Sequence, residues 1–157
     1  MTDRALGAKL MATVSKIMTT DVQVTSPHES LQSAAQLMDQ LNVGSLPVCE
    51  GGRLVGIVTD RDITTRGTAA GLLPAAARVE DVMTRDVESC TGNAEIERVM
   101  TAMGAAQVRR MPVVDADRYI IGMVSLGDIA TRQTANVDGV VRQISTPSEP
   151  DGGPANS

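Results

Sequence analysis

The chain has 157 residues, enough to bury one good core, and its 42% apolar and 21% charged content is globular rather than disordered. A formal charge of −5 gives no bulk attraction to nucleic acid. No stretch approaches the roughly 20 apolar residues of a membrane span, and the first ten residues lack the apolar run of a secretory signal; a cytoplasmic protein without membrane contact is expected.

In chain order, residues 1–12 read as an N-terminal extension. A first repeat follows over 13–71, opening with a short helical turn that ends at Met18-Thr19. Val22-Gln-Val24 reads as a strand. Ser26-Pro27-His28-Glu29 has the form of a helix start, with Ser26 as N-cap and Pro27 at the first helical position. Leu31, Ala34, Ala35, Met38 and Leu41 keep one apolar face at helical spacing. His28 then falls in an exposed first turn, away from ligand or catalytic duty. Leu46-Pro47-Val48-Cys49 and Leu54 to Val58 are β-rich runs, and Gly51-Gly52 between them signals a tight hairpin. Pro47 suits a strand start or edge, because it cannot donate to a ladder. Helical character resumes from Thr59 to about Ala70, until Gly71-Leu-Leu-Pro74 breaks it.

After a linker over 72–78, the chain repeats itself over 79–145. Val14-Ser-Lys-Ile-Met18-Thr19-Thr-Asp21-Val22 returns 65 residues on as Val79-Glu-Asp-Val-Met83-Thr84-Arg-Asp86-Val87. Leu46-Pro47-Val48 returns at the same offset as Met111-Pro112-Val113. Gly56-Ile-Val-Thr59-Asp-Arg-Asp62-Ile63 returns as Gly122-Met-Val-Ser125-Leu-Gly-Asp128-Ile129 at an offset of 66, the extra residue falling in the Asp115 to Arg118 turn. Ile96, Val99, Met100 and Met103 repeat the helix face. Each repeat thus reads β-α-β-β-α, the whole as an α/β (α+β) pseudo-twofold pair. The tail over 146–157 is rich in Pro, Gly and Ser and reads as disordered.

Aromatic residues are nearly absent, Tyr119 being the single one, so a flat base would lie on aliphatic side chains and backbone. Cys49 and Cys90 read as small buried apolar side chains rather than a disulfide framework, and one histidine with no Cys-x-x-Cys offers few metal ligands, so no metal site is expected. The strand-to-helix corners carry the chemistry. Thr59-x-x-Asp62 and Ser125-x-x-Asp128 satisfy a capping-box variant. The same geometry offers free amides to a phosphate and a carboxylate to the two hydroxyls of a ribose. Gly56 and Gly122 in the adjoining strands permit close approach of a ligand or of packed backbone.

The span from Val14 to Ile129 resembles a tandem pair of CBS domains, the regulatory module also found in cystathionine β-synthase and inosine monophosphate dehydrogenase. The Met-Thr lead-in, the Leu-Pro-Val strand and the Gly-x-Val-Thr/Ser-x-x-Asp corner stand in the family's order, twice. Thr59-Asp-Arg-Asp-Ile63 with Ala69-Ala-Gly-Leu72 is further similar to small stand-alone pairs of the hypoxic-response type. The resemblance implies two clefts, a homodimer, and an adenosine-containing regulatory ligand such as AMP, ADP, ATP, NAD or S-adenosylmethionine, with no required cofactor. It carries Asp62 and Asp128 over as ribose binders and Thr59 and Ser125 as phosphate-side hydroxyls. It places Val43, Gly44 and Ser45, and Val108, Arg109 and Arg110, near the base or at the phosphate of the opposite cleft.

The repeats differ where charge matters. If the arginines cross over, the Asp62 cleft gathers Arg61, Arg109 and Arg110, and the Asp128 cleft has almost no fixed positive charge. The expectation is therefore a phosphorylated ligand at Asp62 and a larger loss of binding from Asp62→Ala than from Asp128→Ala. A regulatory sensor acting on an unidentified protein partner is the leading function. A ligand-independent dimeric interaction module, for example in a stress response, is the alternative. No nucleophile–base set points to an enzyme.

Overall fold

The computed structural model describes residues 12–132 and Ile144; most of the N-terminal extension and the tail over 146–157 lie outside the described residues. A 3₁₀ turn, Val14–Lys16, leads into helix α1 (Leu31–Leu41), strands β1 (Ser45–Glu50) and β2 (Arg53–Thr59), and helix α2, one turn of α-helix over Asp60–Asp62 that widens to a π-helix over Ile63–Thr68. A second 3₁₀ turn, Val79–Asp81, leads into β3 (Cys90–Thr91), α3 (Ile96–Ala106), β4 (Arg110–Val114), β5 (Ile120–Ser125) and α4 (Leu126–Arg132). β1 and β2 form an antiparallel pair, and β3, β4 and β5 a three-stranded sheet with β3 parallel to β4.

Two local expectations change. Val22–Val24 is not a strand: in the first repeat only Thr25 pairs, as an isolated parallel bridge to Val48, where the second repeat has the two-residue β3. Helix α1 is capped by Ser30, whose hydroxyl accepts from the Ser33 amide at 3.0 Å, and not by Ser26. Ser26 to Glu29 forms a turn instead, because the carbonyls of Pro27 and Glu29 are taken by the amides of Glu80 and Val79 at 3.0 and 2.8 Å. A carbonyl bound to a distant turn is not free to accept from the next helical turn. The linker helps too: Leu31 and Gln32 give their otherwise unpartnered helix-start amides to the carbonyls of Ala77 and Pro74. The Gly51-Gly52 hairpin forms as expected, with both glycines at positive φ (58° and 85°).

The lead-in segments are exchanged between the repeats. Val14 and Ile17 are buried with Ile96, Met103, Val113, Val124 and Ile129 of the second repeat. Val79, Val82 and Met83 are buried with Leu31, Met38, Val48 and Val58 of the first. Backbone bonds fix the exchange: Thr19 and Met123 bond both ways at 2.8 and 2.9 Å, and Thr84 and Ile57 do so at 2.9 Å. Gly56 is the reason the second lead-in comes so close, since a Cβ there would stand 2.7 Å from the Thr84 carbonyl oxygen. Of the two uses open to this glycine, backbone approach is the one the fold makes. The hairpin tips also dock, with Leu54 donating to the Arg118 carbonyl, Ile120 to that of Gly52, and the Arg53 guanidinium 5.9 Å over the Tyr119 ring.

Candidate functional site

Both corners fold as capping boxes. The Asp62 amide donates to Thr59 Oγ1 and the Thr59 amide to Asp62 Oδ2, each at 3.0 Å. The Asp128 amide donates to Ser125 Oγ at 3.0 Å and the Ser125 amide to Asp128 Oδ2 at 3.1 Å. The bland structural role of these residues is therefore real, and it spends one carboxylate oxygen of each pair. Among the described residues Asp128 Oδ1 has no hydrogen-bond partner. Asp62 Oδ1 lies 3.9 Å from Arg66 Nε, and Arg66 Nη1 donates to the Val82 carbonyl at 3.2 Å.

A cleft of about 320 Å³ opens at the second corner, a size in the range of small-ligand sites. Arg110, opposite Ser125 in the β4–β5 ladder, stands on one wall with Ser125, Asp128 and Met123. Val43, Ser45, Leu46 and Pro47 of the first repeat form the other. The exchanged lead-in, from Thr19 through Asp21, Val22 and Gln23, completes the lining. This crossing of repeats was expected for Val43 and Ser45. Crossing over of the arginines puts Arg110 with Arg61 and Arg109 at Asp62; instead Arg110 lines the cleft beside Ser125, which corrects that expectation. Ladder register alone does not decide the cleft, since Ser45 pairs with Thr59 just as Arg110 pairs with Ser125 and both line the Asp128 cleft; the packing of the two repeats does.

Thr59, Asp62, Arg61 and Gly44 meet at the other corner, where the Gly44 carbonyl accepts from the Asp60 amide at 2.9 Å. Arg109 holds the matching place, its carbonyl accepting from the Leu126 amide at 3.0 Å. Val108 is half-buried against the second core. The lead-in residues Thr19 to Gln23 were missed as site residues. Their signal was present, because Met-Thr-x-Asp-Val occurs in both repeats, but it reads as a turn and strand until the exchange is seen.

Other reactive groups lie elsewhere. His28 is exposed and pairs with Glu50 at 3.1 Å. Burial pushes the Cys49 thiol up and the Cys90 thiol up to about 11, so neither is an activated nucleophile. Among the described residues no group of three His, Cys, Asp or Glu is placed to hold a metal ion, and no helix is long and apolar enough to cross a membrane.

The CBS domain family profile matches residues 14–67 and 79–134. The chain belongs to the CBS domain family. As a CBS pair it is 42% identical over 126 residues to the CBS domain-containing protein YhcV of Bacillus subtilis, covering 80% of this chain and 89% of that one. It is 39% identical over 121 residues to Hypoxic response protein 1 of Mycobacterium tuberculosis, covering 76% and 84%. The crystal structure of Hypoxic Response Protein I, with two coordinated zinc ions, superposes with a TM-score of 0.71 at 38% identity, covering 77% of this chain and 98% of that one. The crystal structure of CBSX2 in complex with AMP superposes with a TM-score of 0.68 at 28% identity, covering 76% and 94%.

Proposed function

We propose that this CBS pair is a non-enzymatic regulatory protein that binds an adenosine-containing ligand in the Asp128 cleft and passes a conformational change to a protein partner. The observation that carries the reading is the joining of Asp128, Ser125 and Arg110 on one wall across from Val43, Leu46 and Pro47. In this reading Asp128 Oδ1 accepts from a ribose hydroxyl, and Ser125 and Arg110 meet the phosphate. The base lies on the aliphatic wall beside the lead-in. Asp21, the second carboxylate of the lining, suits an exocyclic amine or a cationic substituent. AMP in the CBSX2 crystal structure makes AMP the first ligand to try. The change passed on depends on the ligand favouring one setting of the two repeats over another. The lead-in offers a route, because Thr19 both lines the cleft and bonds to β5. The homodimer implied by the family resemblance is the form in which we expect it to act.

A melting-temperature panel with AMP, ADP, ATP, NAD and S-adenosylmethionine tests the reading, followed by calorimetry. Hydrogen bonds to charged groups contribute about 1.5–3 kcal/mol, so Asp128→Ala should weaken binding roughly ten- to 150-fold. Asp62→Ala should change it little, the reverse of the expectation from sequence. The melting temperature of each variant is read alongside, because both carboxylates also cap helices. No stabilisation by any of the five ligands would return the protein to the ligand-independent interaction module.

A further inference from the structure

The two corners share a capping box and differ in the two residues inside it, Asp60-Arg61 at the first against Leu126-Gly127 at the second. At the second, Leu126 turns into the core beside Ile129 and Val124. At the first, its counterpart Asp60 is exposed, and its carboxylate lies over Gly44. A Cβ on Gly44 would stand 3.3 Å from Oδ2 and 3.6 Å from Oδ1, tight enough that the carboxylate would have to give way. Asp60 Oδ1 also accepts from the Arg61 amide at 2.8 Å, which fixes the group in place. Ser45, the residue after Gly44, is the counterpart of Arg110. The Asp128 cleft has the Arg110 guanidinium in its lining, whereas the first corner sets the fixed Asp60 carboxylate next to the exposed Arg61, and its Ser45 lines the Asp128 cleft. Among the described residues Asp60 forms no ion pair, and Arg66 is already engaged with Asp62 and the Val82 carbonyl.

We infer that Asp60 is the charge selector of the first corner: it bars phosphate-bearing ligands from Asp62, so the protein holds one nucleotide per chain, at Asp128. The inference rests on the function proposed above and adds a residue that decides which corner is used. Like charges a few ångströms apart near a protein surface repel strongly enough to shift binding by at least about tenfold.

Calorimetry with AMP, and with adenosine as the ligand lacking phosphate, tests it. Wild type should bind one AMP per chain. Asp128→Ala should lose most of that binding, and Asp60→Asn added to it should restore AMP binding by at least about tenfold. Asparagine keeps the shape and the acceptor for the Arg61 amide, and the position is exposed, so folding is preserved. Adenosine should bind the double variant and Asp128→Ala alike, within about twofold, since it carries no phosphate to repel. If wild type binds one AMP but Asp60→Asn restores nothing, the selector is overturned and the Asp128 reading stands. Two AMP per wild-type chain overturns it equally. Absence of AMP binding in wild type and every variant overturns the underlying reading, and the inference with it.

Discussion

Gly56 shows how one missing side chain positions a distant segment. The Thr84 carbonyl oxygen occupies the place a Cβ would need, at 2.7 Å, and the backbone bonds between Thr84 and Ile57 depend on that approach. Gly122 does the same for the first lead-in, with Met18 Sδ at 2.6 Å and the Thr19 carbonyl oxygen at 3.0 Å from its Cβ position. Gly56→Ala should therefore cost about 1–3 kcal/mol in urea unfolding, as overpacking against fixed backbone does. A change within about 0.5 kcal/mol, the range of an ordinary surface substitution, would show that the lead-in moves aside without loss. Sequence marked both glycines as places of close approach but left open what approaches. The partner lies 28 residues further along for Gly56, from Gly56 to Thr84, and on the earlier side for Gly122. No local pattern encodes such a pairing.

At the scale of elements, α1 begins at Ser30 because tertiary bonds claim the carbonyls ahead of it. Ser30→Ala should lower stability by about 0.5–2 kcal/mol, the usual cost of a lost N-cap. Ser26→Ala should cost less, since Ser26 Oγ holds only a turn amide at 3.3 Å; equal losses in thermal unfolding would restore Ser26 as the cap. The buried helix positions Leu31, Ala34 and Met38, and Ile96, Val99, Met100 and Met103, with the hairpins and the two capping boxes, are legible because each is set by neighbours within a few residues, whereas Ala35 and Leu41, expected on the same face, are exposed. The strand expected at Val22–Val24 does not form, for a physical reason: Val22 and Gln23 line the cleft instead of pairing in a sheet. β-propensity reports fit to a half-buried pleated surface, which a cleft wall also offers to a valine.

Across the whole molecule, the unit that repeats in sequence and the unit that packs are offset by the length of the lead-in. The core around Leu31, Val48 and Val58 draws Ala77, Val79, Val82 and Met83 from beyond the first repeat, so its residues run contiguously from Leu31 to Met83. The other core needs Val14 and Ile17 from far upstream. A fragment spanning 21–86 should therefore unfold cooperatively, and one of equal length spanning 12–77 should not, as read by circular dichroism on heating. Cooperative unfolding of the second fragment alone would mean that the exchange contributes little to stability. The exchange also brings Thr19, Asp21, Val22 and Gln23 into the wall of the Asp128 cleft, which residues of both repeats line.

Sequence by itself determined the duplication, the β-hairpin and corner chemistry of each repeat, the aliphatic core and the family, because those rest on residue type and short-range order. Tertiary structure alone decided which lead-in serves which core and which cleft Arg110 lines. Those depend on contacts between residues tens of positions apart. Arg110 is the plain case: its charge is evident from the chain, but its place in the Asp128 cleft follows only from how the two repeats pack.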